Sequence, residues 1–551
     1  MKHVYPRPAK VEEGQSIGAI ATIQYFDKQG WWKSWITEHH VSFREGEVVV
    51  EVYTEKIPPY PHFQWEKQYL TLAEGYFLEV RKVSEKKAAV WIYAPSARGY
   101  FYAFQTWRQL LQSPLNEGWI LDQPRMKRRG IVEGYYGSPW SLEERKRALS
   151  ILSSQKMNTY VYAPKNDRYH RDKWDSLYPP EELGQLSSLA YDCQKYHVDM
   201  IFAVSPGLSI QYTSNEHANL LFDKYKQVYD IGVRHFGLFF DDIPLSLFHE
   251  SDRAAFPSLT DAHIHFIQKV FAKLKQLDEG NSLVVCPTQY FGKGDEEYIR
   301  RLGQEVPEEV DILWTGRTIC SPEIDIREAR IFYEQTGHQP LFWDNYPVND
   351  ANMRDEMHIG PFLNRHPLLY LHSTGLIANV MEYPEASLIP LITIAHYLWN
   401  PAAYQPSESF EFAVKSIVGD SLAHPFIHIS DCINQSVLSP LPGSKLLTKW
   451  LEHQRKWQQD PQSHQSFKRI VEEYQEQAQQ LLHLENVKLR NEMLPWIQKV
   501  MEDFQFLLSV LEAKSPEEAE RMIEETYQNQ VKALGFFPYL ISREFIDQIK
   551  K

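Results

Sequence analysis

The chain of 551 residues is long enough for about three domains, and its 43% hydrophobic and 13% aromatic residues can form more than one buried core. Its formal net charge of −14 disfavours nucleic acids and anionic membranes as partners, because both are bound through a surplus of lysine and arginine. The four cysteines lack CxxC spacing, so neither a zinc cluster nor a disulfide framework is expected.

The N-terminal residues lack the features of an export or membrane segment. No apolar run follows the early cationic residues, and no window of the chain approaches the ~20 apolar residues of a spanning helix. We therefore expect a cytoplasmic protein, although a chain whose leader had been removed would begin in the same way.

Residues 1–124 are expected to form a small α/β domain. The alternating stretches EVVVEVYTEKI, GYFLEVRKV and KAAVWIYA predict strands, and Phe104, Trp107 and Leu110 recur with helical spacing. The polar, basic stretch LDQPRMKRR then predicts a linker or the first turn of a second domain.

Residues 125–404 alternate apolar strands, polar loops and amphipathic helices. Eight strand candidates follow in order: RGIVEG, MNTYVYAP, VDMIFAVSP, HFGLFFDD, SLVVCPTQY, DILWTG, PLFWDNYP and GLIANV. This number matches a (β/α)8 TIM-type barrel, although a doubly wound sheet produces a similar local pattern. Polar residues directly after the strands favour the barrel. The stretch between Pro347 and Thr374 is long and mixed, so the eighth strand is the least defined.

Residues 405–551 are expected to form a C-terminal helical bundle, because the alternation stops and long patterns of period 3.6 replace it. Two such patterns consist of Ile470, Tyr474, Ala478 and Leu481, and of Leu494, Ile497, Met501, Phe504 and Leu508.

Two adjacent acids, Asp241 and Asp242, follow the fourth strand in the segment FGLFFDDIP. Both carboxylates are expected where a buried strand leaves the barrel, which is where TIM-barrel enzymes place their catalytic groups. The structural alternative is a helix N-cap followed by an acidic first turn, which any strand-to-helix loop could contain.

Most of the other strand ends also carry a polar group: Gly134, Lys165, Asn166, Tyr290, Thr315, Asn345, Asp350 and Asn379. Aromatic walls are expected from Tyr135, Tyr136, Trp140, Tyr290 and Trp343. Together these groups predict a carbohydrate pocket, since sugars present hydroxyl edges and C–H faces. Taken singly, each has a structural alternative, for example a solvated loop lysine, a core tryptophan or a turn-forming asparagine.

The motifs RRGIVEGYYGSPWS, MNTYVYAPKNDRYHRDKW, SPGLSI, FGLFFDDIP, CPTQY, WDNYPVND and ANVMEYPEAS together resemble glycoside hydrolase family 84. This family comprises the protein O-GlcNAcases and bacterial β-N-acetylglucosaminidases. The resemblance spans roughly residues 126–400, and residues 1–124 look like the non-catalytic domain that precedes such barrels in bacterial members. It implies a retaining exo-β-N-acetylglucosaminidase without cofactor or metal, acting on N-acetylglucosamine-bearing glycans or glycoproteins.

The resemblance also implies substrate-assisted catalysis, in which the 2-acetamido oxygen of the substrate is the nucleophile and an oxazoline forms. By match of motifs, Asp241 polarises the acetamide and Asp242 acts as general acid and later as base. We expect Asp241 to stay ionised and Asp242 to start protonated. The acetamide would be surrounded by Tyr290, Thr315, Trp343 and Asn345. The sugar hydroxyls would be held by Gly134, Lys165, Asp350 and Asn379.

Three other hypotheses are open at this point. The first is a broader hexosaminidase or a hyaluronidase-type activity, which the barrel motifs do not separate. The second is a sugar-binding protein with a decayed site, which the presence of both acids disfavours. The third is a metal-dependent hydrolase using Asp241, Asp242 and His170, which lacks a coherent set of ligands on neighbouring strands. The sequence does not define an oligomeric state.

Overall fold

The computed structural model describes residues 1, 3–27, 30, 32, 35, 46–54, 70, 72–434, 445–446, 449, 452, 461–513, 518, 521–522 and 525. An N-terminal sheet contains the strands β1 Lys10–Ser16, β2 Ile20–Phe26, β3 Val48–Thr54, β4 Tyr76–Ser84, β5 Lys87–Tyr93 and β6 Asn116–Asp122. Their order in the sheet is β1-β6-β4-β5-β3-β2. The helix α1, Ala97–Leu110, follows β5.

The sequence predicted β3, β4, β5 and α1, but not the other three strands. β1 and β2 lie at the two edges of the sheet, and most of their residues are exposed. Such strands lack the alternation of buried and exposed side chains that marks a half-buried strand. Helix α1 begins after Ser96, whose side chain accepts a hydrogen bond from the backbone N–H of Gly99, and it buries Phe104 and Trp107 as expected.

Eight parallel strands form a closed barrel: β7 Arg128–Glu133, β8 Thr159–Tyr162, β9 Asp199–Val204, β10 His235–Phe239, β11 Ser282–Cys286, β12 Asp311–Trp314, β13 Leu341–Asp344 and β14 Gly375–Asn379. All eight coincide with the predicted strands. β14 pairs with β7 in register, Asn379 opposite Val132. This pairing of the last strand with the first confirms the TIM-type barrel and rules out the doubly wound sheet.

The barrel helices are α2 Leu142–Ser154, α3 Pro180–Lys195, α4 Asn215–Asp230, α5 Glu250–Ala255, α6 Leu259–Leu277, α7 Glu297–Glu305, α8 Ile326–Thr336 and α9 Pro384–Trp399. Between β13 and β14 the chain instead forms two 3-10 turns, Ala351–Met353 and Leu369–Leu371. This explains why the sequence before the eighth strand has neither a helical nor a strand period.

The C-terminal region contains the helices α10 Pro406–Val418, α11 Asp420–Ile433, α12 Pro461–Leu481 and α13 Val487–Leu511, which confirms its predicted helical character. Helix α13 packs on the barrel, where the Glu492 carboxylate accepts the backbone N–H groups of Glu385 and Ala386 in the first turn of α9 at 3.2 and 2.8 Å. Over the described residues, none of the helices has the length and hydropathy of a membrane span.

The predicted boundary at residues 124 and 125 falls between β6 and β7, and a buried lysine joins the two units. Lys156 Nζ donates to Asp122 Oδ2 at 2.8 Å and to the Tyr76 hydroxyl at 2.9 Å. Trp399 Nε1 donates to the other oxygen of Asp122, and Lys156 Nζ lies 4.6 Å from the Trp399 ring centroid. Burial lowers the pKa of Lys156, and the carboxylate of Asp122 opposes this shift.

We expect Lys156→Met to destabilise the protein by about 3–5 kcal/mol, because it leaves the carboxylate of Asp122 buried without its cation. Urea unfolding followed by circular dichroism measures this loss. Lys226→Met is the matched control, since Lys226 pairs with Asp230 on the exposed face of α4 and such pairs contribute little. Equal losses in the two variants would contradict the importance of the buried pair.

Candidate active site

The two acids lie just beyond β10 and occupy different environments. β10 ends at Phe239, and the backbone N–H of Phe240 donates to the carbonyl oxygen of Cys286 at 2.8 Å. Asp241 is buried, whereas Asp242 is exposed and has a φ of 53°. This left-handed conformation is uncommon for a residue with a side chain. The turn after β10 therefore separates the two carboxylates. Both acids lie beyond the end of the strand, so the alternation of side chains along a strand does not apply to them.

Asp241 forms an ion pair with Lys165, whose side chain is buried beside it. Burial by itself would raise the pKa of Asp241, but the Lys165 ammonium outweighs this effect and holds the pKa below its usual value. The ion pair uses Oδ2, whereas Oδ1 is buried and has no hydrogen-bond partner among the described residues. Asp241 can therefore accept a hydrogen bond from a ligand while it stays ionised.

Asp242 accepts hydrogen bonds from two tyrosines. The Tyr136 hydroxyl donates to Oδ2 at 2.7 Å, and the Tyr290 hydroxyl donates to Oδ1 at 2.9 Å. Arg171 stands behind this arrangement, because its Nη1 donates to the Tyr136 hydroxyl at 3.1 Å and its Nη2 to the carbonyl oxygen of Asp242 at 3.2 Å. Since the Tyr136 oxygen accepts from Arg171, its own proton is directed towards Asp242.

The side chain of Asn345 joins three sides of the site. Its Oδ1 accepts from Trp343 Nε1 at 2.9 Å and from Asn379 Nδ2 at 3.0 Å, while its Nδ2 donates to the carbonyl oxygen of Ile319 at 2.7 Å. Asn379 Oδ1 in turn accepts the backbone N–H of Gly134 at 3.1 Å. The ends of β7, β13 and β14 and the loop after β12 are thus held by one network.

Gly134 and Asp350 also constrain the shape of the site. A Cβ atom on Gly134 would lie 2.3 Å from Cζ2 of Trp343, so any side chain there would displace the indole ring. Asp350 Oδ2 accepts the backbone N–H of Tyr136 at 2.8 Å, and burial raises the pKa of Asp350. The Thr315 hydroxyl donates to the carbonyl oxygen of Thr318 at 2.7 Å. This hydrogen bond bridges two residues of the loop after β12.

One cavity of about 780 Å³, which includes open solvent at its mouth, is lined by all ten residues to which the sequence analysis assigns a catalytic or substrate-binding role. Those residues are Gly134, Lys165, Asp241, Asp242, Tyr290, Thr315, Trp343, Asn345, Asp350 and Asn379. Its mixture of aromatic walls and a few convergent polar groups is that of a small-molecule site. The arrangement can hold a ligand with hydroxyl and amide groups between an ionised buried acid and an exposed one.

Three other residues predicted near the site do not line this cavity. Tyr135 and Trp140 are buried between the barrel and its helices, and they donate to the carbonyl oxygens of Ser138 and Met381. Asn166 donates to the carbonyl oxygen of Gly137. Side chains in a loop do not alternate between two faces as they do in a strand. Their direction is therefore set by contacts with residues distant in sequence.

Several residues at the cavity were missed by the sequence reasoning. Arg171, which donates to the Tyr136 hydroxyl, was not predicted, since nothing in the sequence distinguishes it from nearby Arg168. Tyr136 lines the cavity as predicted for an aromatic wall, but its hydrogen bond to Asp242 was not predicted. Ile319, Cys320 and Val348 also line the cavity. They belong to loops without a recognisable spacing, so no sequence signal identified them.

The proposed metal ligand His170 is bonded through Nδ1 to the carbonyl oxygen of Ala203 at 2.8 Å. Burial, together with the nearby ammonium of Lys165, lowers its pKa to about 4. Within the described ranges, no three His, Cys, Asp or Glu side chains form a group that could hold a metal ion. Among the described residues, the structure therefore offers no set of ligands for the metal-dependent hypothesis.

Comparisons with known proteins agree on one family. A family model described as beta-N-acetylglucosaminidase matches residues 129–431. A mutant of the Thermobaculum terrenum O-GlcNAc hydrolase is 31% identical, with a TM-score of 0.73, over 77% of this chain and 94% of that chain. The structure named CpGH84B has the same fold, with a TM-score of 0.79 at 24% identity over 99% of this chain and 96% of that chain.

The curated relatives include the Protein O-GlcNAcase of Rattus norvegicus, which is 32% identical over 272 residues. The Mus musculus protein of the same name matches equally well. The matched segment is 48% of this chain and 29% of the rat protein. The chain therefore spans less than a third of the length of these relatives.

We expect Lys165→Met to raise the pKa of Asp241, because the variant removes the cation that lowers it and leaves the burial that raises it. Carbon NMR of labelled aspartate carboxyl groups measures the titration, with the Asp241 signal assigned through Asp241→Asn. Lys146→Met, which removes a half-buried lysine of α2 that pairs with Glu143, is the control and is expected to leave the titration of Asp241 unchanged. An unchanged midpoint in Lys165→Met would contradict the assigned cause.

Proposed function

Because the chain belongs to the β-N-acetylglucosaminidase family of glycoside hydrolases, family 84, we propose that it is a retaining exo-β-N-acetylglucosaminidase. Its substrates are glycans or glycoproteins that carry terminal β-linked N-acetylglucosamine. The observation that carries this proposal is the contrast between the adjacent acids. Asp241 is buried, paired with Lys165 and free at Oδ1, whereas Asp242 is exposed and accepts from two phenols.

In the first step, the acetamide oxygen of the substrate attacks C1 while the glycosidic C1–O bond breaks. Asp242 gives its proton to the departing oxygen, and a protonated oxazoline, the oxazolinium ion, forms on the sugar and keeps its N–H proton. Asp241 accepts the acetamide N–H at Oδ1, and its negative charge stabilises the positive charge that develops on the nitrogen. The low pKa of Asp241 supports this role, because a protonated acid could not supply that charge.

In the second step, water attacks C1 and the C1–O bond of the protonated oxazoline breaks, which restores the acetamide with its N–H. Asp242 now takes the proton from water. The hydroxyls of Tyr136 and Tyr290 donate to the two oxygens of Asp242 and so hold its carboxyl group in position. Two successive inversions at C1 leave the product with the configuration of the substrate.

The remaining cavity residues divide into two groups in this proposal. Tyr290, Thr315, Trp343 and Asn345 surround the acetamide. Gly134, Lys165, Asp350 and Asn379 hold the hydroxyl groups of the sugar. The bond between Asn345 and Asn379 couples the two groups, and both amides retain an N–H that these bonds do not use.

We expect the protein to hydrolyse 4-nitrophenyl β-N-acetylglucosaminide and to leave 4-nitrophenyl β-glucoside intact, because the glucoside lacks the internal nucleophile. Release of nitrophenolate measures both reactions, and proton NMR of the first sugar product should show the β anomer. Comparable rates on the two substrates would exclude the acetamide as nucleophile.

We expect Asp242→Ala to lower kcat/KM about 10²- to 10⁴-fold for an alkyl N-acetylglucosaminide, the usual contribution of a general acid. For a dinitrophenyl leaving group, which needs little protonation, the loss should be far smaller. Asp241→Ala is the matched comparison, because the polarising role is needed whatever the leaving group. A Brønsted series of aryl leaving groups measures the difference, and equal slopes for the two variants would place the acid elsewhere.

A further inference from the structure

Arg171, in the loop after β8, contacts the exposed acid by two routes. Its Nη1 donates to the Tyr136 hydroxyl at 3.1 Å, and that hydroxyl donates to Asp242 Oδ2 at 2.7 Å. Its Nη2 donates to the backbone carbonyl oxygen of Asp242 at 3.2 Å. One guanidinium group therefore holds both a partner of the carboxyl group and the backbone that carries it, although Arg171 is not among the residues that line the cavity.

The first route depends on the single proton of the Tyr136 hydroxyl. Tyr136 is 42% exposed, so water can compete for this hydroxyl. The rest of the residue is held, because its backbone N–H donates to Asp350 Oδ2 at 2.8 Å and its ring centroid lies 5.6 Å from Lys165 Nζ. A guanidinium group donates and never accepts, so the bond from Arg171 directs the phenol proton towards Asp242.

The second route supports an unusual backbone conformation. The φ of 53° at Asp242 lies in the left-handed region, and a residue with a side chain keeps such a conformation only when the surrounding contacts hold it. The bond from Arg171 to the carbonyl oxygen of Asp242 is one of these contacts. Because the side chain leaves the backbone at this residue, the same bond affects the direction of the carboxyl group.

Arg171 is itself anchored through the residue before it, His170, which is buried. Its Nδ1 donates to the carbonyl oxygen of Ala203 at 2.8 Å, and its own carbonyl oxygen accepts the backbone N–H of Ser205 at 2.8 Å. Both partners lie at the carboxyl end of β9, the strand that pairs with β10. Arg171 therefore extends from a point that the barrel fixes beside the strand leading to Asp242.

We infer that Arg171 is a positioning residue for the general acid, and that it holds the Asp242 carboxyl group in the direction of the leaving group chiefly through the Tyr136 hydroxyl. This inference rests on the proposed function, in which Asp242 protonates the departing oxygen. Arg171 acts without itself touching the substrate. Its contribution is therefore confined to substrates whose leaving group needs a proton.

The test compares kcat/KM for an alkyl and a dinitrophenyl β-N-acetylglucosaminide. Arg171→Met keeps an unbranched side chain and loses every donor. We expect it to lower kcat/KM for the alkyl glycoside about 10- to 100-fold, the cost of a slightly misplaced catalytic group. The loss for the dinitrophenyl glycoside should be below about threefold, because this leaving group needs little protonation. A purely structural role would lower both rates together and leave their ratio unchanged.

Because both substrates are measured on one preparation, the ratio does not depend on the folded fraction. Arg168→Met is the matched control, since Arg168 is an exposed arginine in the same loop. Its ratio should stay within about twofold of the unchanged protein, the usual size of a surface effect.

Tyr136→Phe is the second variant, because it removes the hydroxyl that lies between Arg171 and Asp242. It should change the ratio in the same direction as Arg171→Met. When Arg171→Met is added to Tyr136→Phe, the further change in the ratio should be smaller than in the unchanged protein, since residues of one hydrogen-bonded chain do not act additively.

The outcomes separate the two claims. If Asp242→Ala shows the leaving-group dependence and Arg171→Met leaves the ratio unchanged, the role of Arg171 is wrong while the proposed function stands. An equal change of the ratio in Arg168→Met, or an equal effect of Arg171→Met with and without the Tyr136 hydroxyl, also overturns it. If the unchanged protein hydrolyses neither glycoside, the proposed function is wrong and the inference falls with it.

Discussion

The candidate site depends on the contact between the ammonium of Lys165 and the carboxylate of Asp241 inside the barrel. Removing two charges from water costs several kcal/mol each, and their attraction offsets that cost only at close range. The same ammonium lies 5.6 Å from the ring centroid of Tyr136, which donates to Asp242. Lys165 thus keeps the buried Asp241 ionised and also contacts Tyr136, the hydrogen-bond partner of the exposed Asp242.

Closure of the barrel supplies the geometry for this pair and for the groups around it. Lys165 follows β8 and Asp241 follows β10, and both strands pair with β9. The bond between Gly134 and Asn379 joins residues 245 positions apart, and it exists because β14 pairs with β7. In an open sheet these two strands would lie at opposite edges. The site therefore needs the complete barrel, although its acids occupy adjacent positions in the chain.

The sequence predicted which residues come together wherever one geometric rule applies, namely that the carboxyl ends of parallel strands meet at one face. The rule fails within loops. Tyr135 and Tyr136 are neighbours, yet one packs against the helices and the other donates to Asp242. Ile319 and Cys320 line the cavity, and the carbonyl oxygen of Ser321 beside them accepts a hydrogen bond from Arg365, 44 residues further along the chain. No local pattern contains that information.

The sequence by itself determined the eight barrel strands, the polar residues at their ends and the family, because these depend on apolar periodicity and on short motifs. It also indicated that Asp241 and Asp242 act as a pair. Only the tertiary structure decided that Asp241 is the buried partner of Lys165 and that Asp242 is exposed between Tyr136 and Tyr290. The reason is physical: charge and burial depend on neighbours brought together by folding, and neighbours distant in sequence leave no local pattern.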